Sequence, residues 1–334
     1  MDTLRRSLLL SPLSLAALGA AGATMAQTPA PDGGKPIAGW PKPSTTIDLW
    51  PHGVPGQLHA DMQEIVEETS TDPAVHFRRT KGVSKPRLAV FPAAKPNGSA
   101  VLIIPGGGFA WNYFDHEGYQ LADFLNRSGV TCFVLFYRLA QDGWDRPADV
   151  ALADTQRAMR VIRHVAPTFA LDAKRVGVAG FSAGGFLTAS ILTRSEANFY
   201  PAADAADALD ALPFLAAPIY PVQSLDPAFA YDGAAPSLFG GPATADQIAA
   251  YSPDQNVKPG LPPCFLVHAE DDKTVPVANT TRLRDALHGA GNVVETHLFA
   301  AGGHGFGMKP DTWAPYHVWP DLLVAFARSQ GLFG

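Results

Sequence analysis

The chain has 334 residues, 47% of them hydrophobic and 17% charged, with a formal net charge of −6. That is a globular composition, with enough length for one large α/β domain or two small ones. The acidic balance and the lack of any basic block exclude a phosphate-tracking nucleic-acid surface, and a neutral or sugar-like ligand fits better.

Arg5 and Arg6 precede an apolar stretch from Leu8 to Ala23, which ends in Thr24-Met25-Ala26 before Gln27. A basic start, a short apolar run and a small-residue cleavage site predict an export signal over residues 1–26. Ser11, Pro12 and Ser14 interrupt the run, so it is not expected to span a membrane. The arginine pair fits the twin-arginine route, and the general secretory route fits equally. Either one predicts a periplasmic or secreted protein of net charge about −7 after cleavage. Residues 27–43 are rich in proline and glycine and read as a linker or surface arm. Residues 44–334 carry no second linker or repeat and are expected to form one catalytic domain.

Strand-like apolar runs follow at residues 75–79, 87–91, 100–104, 131–137, 175–180, 215–220, 264–268 and 293–299. Helical periodicity appears at 117–127, 148–165, 183–193, 277–287 and 315–328, with Leu121, Phe124 and Leu125 as the buried stripe of the first and Leu152, Met159, Ile162 and Val165 of the second. Alternation of this kind predicts a mostly parallel eight-stranded sheet with helices on both faces. Ligands of such sheets bind beyond the carboxyl ends of the strands, where the motifs below fall. Residues 221–263 contain eight prolines and one helical candidate, 243–251, and read as a short irregular cap. Cys132 and Cys264 lie inside apolar strands that are not expected to be neighbours, which favours two free core thiols over a disulfide.

Four motifs carry chemistry. After the strand ending at Ile104 comes Pro105-Gly106-Gly107-Gly108, whose backbone N–H groups suit an oxyanion hole. Neither the spacing nor a following Lys-Ser/Thr supports a nucleotide loop. Gly180-Phe181-Ser182-Ala183-Gly184-Gly185, between a strand and a helix, is a nucleophile elbow, and the N–H of Ala183 would join those of Gly107 and Gly108 at the oxyanion. Glu270-Asp271-Asp272 follows another strand and offers the acid of a triad. Asp272 is the expected one, with Asp271 and Glu270 open as alternatives and a helix-capping role open for each. His304, set in Gly302-Gly303-His304-Gly305, is the expected base, with His268 at a strand end as the weaker candidate. The order Ser182, Asp272, His304 is that of α/β-hydrolases. No zinc-ligand pattern appears, and no cofactor is required.

These motifs, together with Trp50-Pro51-His52-Gly53-Val54-Pro55-Gly56, the run Pro86 to Pro92, Glu117-Gly118, Phe136-Tyr137-Arg138-Leu139, Ile219-Tyr220-Pro221 and Val275-Pro276, stand in the order shown by bacterial carbohydrate esterases of the acetylxylan esterase-like group, which the chain resembles along almost its whole mature length. It is also similar to hormone-sensitive-lipase-like esterases. These usually place a histidine before the three glycines, where this chain has Pro105, and the departure favours the carbohydrate-esterase branch.

The resemblance implies a serine esterase that removes acetyl or other short acyl groups from a carbohydrate through an acyl-enzyme, with Ser182 as nucleophile, His304 as base and Asp272 as its partner. A general short-chain carboxylesterase or lipase remains the alternative, since it would share every one of these residues. A peptidase of the prolyl-oligopeptidase type would share the elbow but normally carries a large extra domain, for which no room is expected. A non-catalytic binding module would be expected to lack a triad member. Trp111, Tyr220 and Phe306 are the expected sugar-contacting aromatics, with core packing as the competing role for each. The expected partner is acetylated carbohydrate, with no nucleic acid and no membrane insertion.

Overall fold

The computed structural model describes residues 37–56, 62–309 and 313–334. The expected export signal lies outside the described residues, as do residues 27–36 of the expected linker. Where the arm is described it rests on the domain, because the Trp40 indole N–H donates to Asp115 Oδ1 at 3.1 Å.

Ten strands are formed among the described residues: β1 (Thr45–Asp48), β2 (Ile65–Glu68), β3 (Arg78–Lys81), β4 (Arg87–Phe91), β5 (Ala100–Ile104), β6 (Thr131–Phe136), β7 (Val176–Phe181), β8 (Ala216–Ile219), β9 (Cys264–Ala269) and β10 (Val294–Phe299). Eight make one sheet in the order β1-β4-β6-β5-β7-β8-β9-β10. β4 pairs antiparallel with β1 and with β6, and every later pair is parallel. Central strands such as β5, β6 and β7 are buried along their whole length, so they read as continuous apolar runs rather than alternating ones.

Successive residues of a strand point to opposite faces. Leu102, Ile104, Phe133 and Leu135 belong to one core. Val101, Ile103, Cys132 and Val134 belong to the other. Helices α2 (Pro147–Val165), α3 (Ala183–Arg194) and α6 (Ala278–Gly289) pack into the first through Met159, Phe186 and Leu283. Helices α1 (Gln120–Asn126) and α7 (Trp319–Ser329) pack into the second through Leu121 and Trp319. This is the α/β-hydrolase arrangement.

Eight strands were expected in the sheet, and eight are there, but one place is taken by a different segment. β1 occupies the margin, whereas the run at 75–79 gives only the start of β3, which pairs with β2 in a separate two-stranded ribbon. The apolar character of that run has another cause: His76 packs edge-on to Trp40 and Phe77 packs on His116. The expected helix at 117–127 is also shorter. It opens as a wide π-type turn, Asp115–Tyr119, in which Glu117 leaves helical geometry, before α1 begins. Leu121 and Leu125 are buried there, while Phe124 is only partly so.

The cap contains two short α-helices rather than one, α4 (Ala234–Phe239) and α5 (Ala245–Tyr251), followed by a 3-10 turn at Pro253–Asn256. Pro236 sits in the first turn of α4, where its missing N–H costs nothing. Hydrogen bonds from Gln141 to Ser237 and from Tyr251 to Asp149, both 2.8 Å, hold the cap on the domain. Cys132 and Cys264 are free, buried thiols, on strands separated by three others.

Candidate active site

Ser182 stands between β7 and α3 with φ 52° and ψ −114°, a left-handed conformation that a residue with a Cβ adopts only under constraint. The constraint is the close crossing of strand and helix. A Cβ on Gly180 would run into Thr188 Oγ1, and one on Gly184 into the carbonyl oxygen of Ile104. The serine backbone is tied on both sides, its N–H donating to Ile219 O at 3.0 Å and its carbonyl accepting from Phe186 and Val222 at 3.1 Å each.

The turn after β10 brings His304 over the serine. Ser182 Oγ lies 2.8 Å from His304 Nε2, and His304 Nδ1 lies 2.7 Å from Asp272 Oδ2. Asp272 Oδ1 accepts from the N–H groups of Thr274 and Val275, both at 2.9 Å. Its carboxyl is held well below the usual range: burial alone would raise it, and the bonds from His268 and His304, the His304 charge and the Val275 N–H outweigh that burial. Of the two alternative acids, Asp271 instead accepts from Gly302 and Gly303 at 2.9 and 2.8 Å, which anchors the histidine turn. Glu270 is exposed.

Gly106 runs close to the serine, where a Cβ on it would lie 2.9 Å from Ser182 Cβ, and Gly107 and Gly108 line the same cavity as Ser182. The carbonyls of this loop are already committed. Pro105 O accepts from the Tyr137 hydroxyl at 2.9 Å, Gly106 O from Tyr113 N, and Gly107 O from Ala110 N and Trp111 N. The N–H groups of Gly107 and Gly108 have no hydrogen-bond partner among the described residues. Ala183 opens α3, so its N–H has no intrahelical acceptor. Three backbone donors are thus available around the serine for a developing oxyanion.

Beneath this loop lies a carboxyl that the sequence reading noted only as a motif residue. Glu117 accepts from Gly106 N–H at 2.9 Å through one oxygen and from the Tyr220 hydroxyl at 2.8 Å through the other. Tyr220 in turn accepts from Gly307 N–H at 2.9 Å. One buried carboxyl therefore links the glycine loop to the histidine turn. Burial raises its proton affinity, partly offset by those two hydrogen bonds and by the charges of His304 and Lys309. Replacing Glu117 by glutamine leaves one of the two donors facing an NH2 group. The expected result is a loss of about 1–3 kcal/mol in urea unfolding, together with a lower kcat at little changed KM.

A cavity of about 360 Å³ opens above the serine, lined by Gly107, Gly108, Trp111, Tyr113, His116, Glu117, Ser182, Tyr231, Thr274, Val275, His304 and Gly305. Trp111 lines it as expected, although its ring is covered by the Arg79 guanidinium at 3.9 Å and the Lys81 ammonium at 4.6 Å. Tyr220 and Phe306 do not line it, which corrects their expected role. Both are fully buried, Tyr220 packing 5.1 Å from the His304 ring and Phe306 stacking on Tyr316 at 4.7 Å, so they floor the histidine turn instead of meeting a sugar. Tyr231, delivered by the cap, was missed. A Cβ on Gly108 would lie 3.2 Å from its hydroxyl, and one on Gly233 2.6 Å from its ring. His116 was missed as a lining residue as well; burial, with the charge of Lys309, lowers its pKa to about 3, so it is a neutral imidazole. Nothing in the local pattern around Tyr231 signals its reach into the site. No group of three or more potential metal ligands occurs among the described residues.

A model of the prolyl oligopeptidase family matches residues 138–317, more than half of the chain and the whole stretch from Ser182 to His304. The chain belongs to that family. It is similar to an acetylxylan esterase of Xylanibacter ruminicola, 32% identical over 237 residues, which are 70% of this chain and 46% of the relative. It is also similar to an endo-1,4-beta-xylanase B of Butyrivibrio fibrisolvens, 30% identical over 63% of this chain and 33% of that one. The chain spans less than half the length of either. Among solved structures, an acetyl ester-xyloside bifunctional hydrolase from Caldicellulosiruptor lactoaceticus superposes with a TM-score of 0.70 at 29% identity, covering 89% of this chain and all of the other. Esterase 2 of Thermogutta terrifontis superposes with a TM-score of 0.63 at 22% identity, covering 84% and 96% of the two chains, and shares the fold.

Proposed function

We propose that this chain is a serine esterase that removes acetyl or other short acyl groups from carbohydrate through an acyl-enzyme. The observation that carries the reading is the continuous hydrogen-bonded line from Ser182 Oγ through His304 to Asp272, at 2.8 and 2.7 Å, beside three free backbone donors. His304 Nε2 takes the Ser182 proton as Oγ bonds to the ester carbonyl carbon. The carbonyl oxygen, now negative, is held by the N–H groups of Gly107, Gly108 and Ala183. His304 passes the proton to the sugar oxygen as the C–O bond breaks, and water repeats the sequence to release the acid and restore Ser182.

The acetylxylan esterase relative supports a carbohydrate ester as substrate. So does the lining, where Tyr113, His116, Tyr231 and Thr274 bring polar groups and Val275 is the one aliphatic side chain among the described residues, a poor match to a long acyl chain. The second activity in the name of the bifunctional neighbour finds less support. Glycoside hydrolysis uses two carboxyl groups across the bond, and among the described residues Glu117 is the one carboxylate lining the cavity, with both its oxygens engaged. The reading includes export by residues 1–26 and one catalytic domain over residues 44–334. No helix among the described residues is long and apolar enough to cross a membrane.

Acetate release from a panel of acetylated polysaccharides, set against p-nitrophenyl esters of increasing chain length and a prolyl anilide, tests the proposal. The expected outcome is acetate from at least one polysaccharide, with synthetic-ester rates falling beyond short chains. Activity confined to synthetic esters would return the chain to general carboxylesterases, and cleavage of the anilide alone would make it a peptidase.

A further inference from the structure

Asp272 has four hydrogen-bond donors, and the esterase reading uses only one of its two histidines. Oδ1 takes the backbone N–H groups of Thr274 and Val275. Oδ2 takes His304 Nδ1 at 2.7 Å and, on its other side, His268 Nε2 at 3.0 Å. His268 sits near the end of β9, fully buried and four residues ahead of Asp272.

The tautomer of His268 follows from its neighbours. Its Nε2 also lies 3.0 Å from Val275 O, which can only accept, so the hydrogen is on Nε2 and is shared between that carbonyl and Asp272. Its Nδ1 lies 2.7 Å from the Thr280 hydroxyl. Thr280 on α6, Val275 on the turn and His268 on β9 thereby form a fixed frame behind the carboxylate.

The geometry points to His268 as a positioning residue for catalysis, which fixes the orientation of the Asp272 carboxylate and draws charge from the oxygen that faces His304. This rests on the esterase reading and adds to it a second histidine that never touches substrate. With the His268 N–H removed, more negative charge stays on Oδ2, the His304 imidazolium is better stabilised, and its proton is lost at higher pH. The carboxylate also gains rotational freedom, so His304 is less well aimed at Ser182. Glu117 and Tyr220 lie beneath His304, Lys309 acts on Glu117, and Asp271, Glu270 and Lys273 share the turn with Asp272. A substitution at His268 leaves all of them in place.

The experiment compares wild type with His268→Leu and His268→Gln, measuring kcat/KM for a p-nitrophenyl acetate against pH, with the functional sites counted by a fluorophosphonate probe. In His268→Leu the acid limb of the profile should move to higher pH by on the order of 0.5 unit, and kcat per labelled site should fall on the order of 10–100-fold. Glutamine, whose amide N–H reaches the same oxygen, should restore both. Should leucine prevent folding, His268→Asn, too short to reach Asp272, takes its place in the comparison. An unmoved acid limb with kcat per labelled site unchanged would reduce His268 to a packing role and overturn the inference. A wild-type protein that neither labels nor hydrolyses esters would instead overturn the esterase reading.

Discussion

Ser182→Ala is expected to lower ester turnover by roughly 10⁶-fold, because serine and histidine act as one unit and loss of either removes nearly all of what they achieve together. The change is confined to chemistry. The bonds that hold the elbow are made by the backbone of residue 182 with Ile219, Phe186 and Val222, and alanine keeps them. Alanine also carries the same Cβ that serine already holds at φ 52°, so no new strain enters. Urea unfolding of the variant should therefore overlay that of the wild type, while labelling by a fluorophosphonate disappears. The activity left should stay above the uncatalysed rate by about 10³–10⁴, supplied by binding and by the donors at Gly107, Gly108 and Ala183. Near-normal rates on a small acetate ester would end the acyl-enzyme mechanism.

Much of this site is legible in the sequence because glycine marks it. The elbow needs Gly180 and Gly184 for the strand and helix to cross, and the oxyanion loop needs Gly106 to pass within van der Waals contact of the serine. Both constraints are local, so both leave a local trace. Strands β5, β6, β7 and β9 are legible for a similar reason, since burial on both faces demands an unbroken apolar run. β1 leaves little trace: it is four residues at the sheet margin, two of them only half-buried. The run at residues 75–79 misleads because side-chain packing against Trp40 and His116, not a ladder in the main sheet, explains its apolar character.

What the sequence hides is whatever depends on elements far apart in the chain. Tyr220 follows an apolar strand and Phe306 sits among glycines, which is equally consistent with a sugar platform and with a buried floor. Their contacts with Glu117 and Tyr316 decide the matter. Tyr231 reaches the cavity only because the cap folds back over Gly108. Asp271 and Asp272 are adjacent and chemically identical. They differ in what the histidine turn presents to each, two backbone N–H groups to the first and the imidazole to the second.

Asp272→Asn should cost up to about 10⁴-fold in kcat, and the surroundings determine why. The N–H groups of Thr274 and Val275 accept no substitute for an oxygen, so the amide oxygen takes the Oδ1 place and the NH2 group takes that of Oδ2. There it faces His304 Nδ1, which must become the acceptor. The imidazole hydrogen then moves to Nε2 and points at Ser182 Oγ, where a base is needed. On its other side the same NH2 group meets the N–H of His268, and two donors confront each other across the former 3.0 Å contact. The variant should thus also lose stability, and that loss should depend on pH. In the wild type the folded-state carboxyl is held below its unfolded value of about 3.9, so its contribution is fully present above that value and is lost as pH falls through the folded one. The stability gap between wild type and Asp272→Asn, measured by urea unfolding, should narrow as pH falls below about 4. A gap that stayed constant into that acid range would mean that the charge of Asp272 does not hold this turn together.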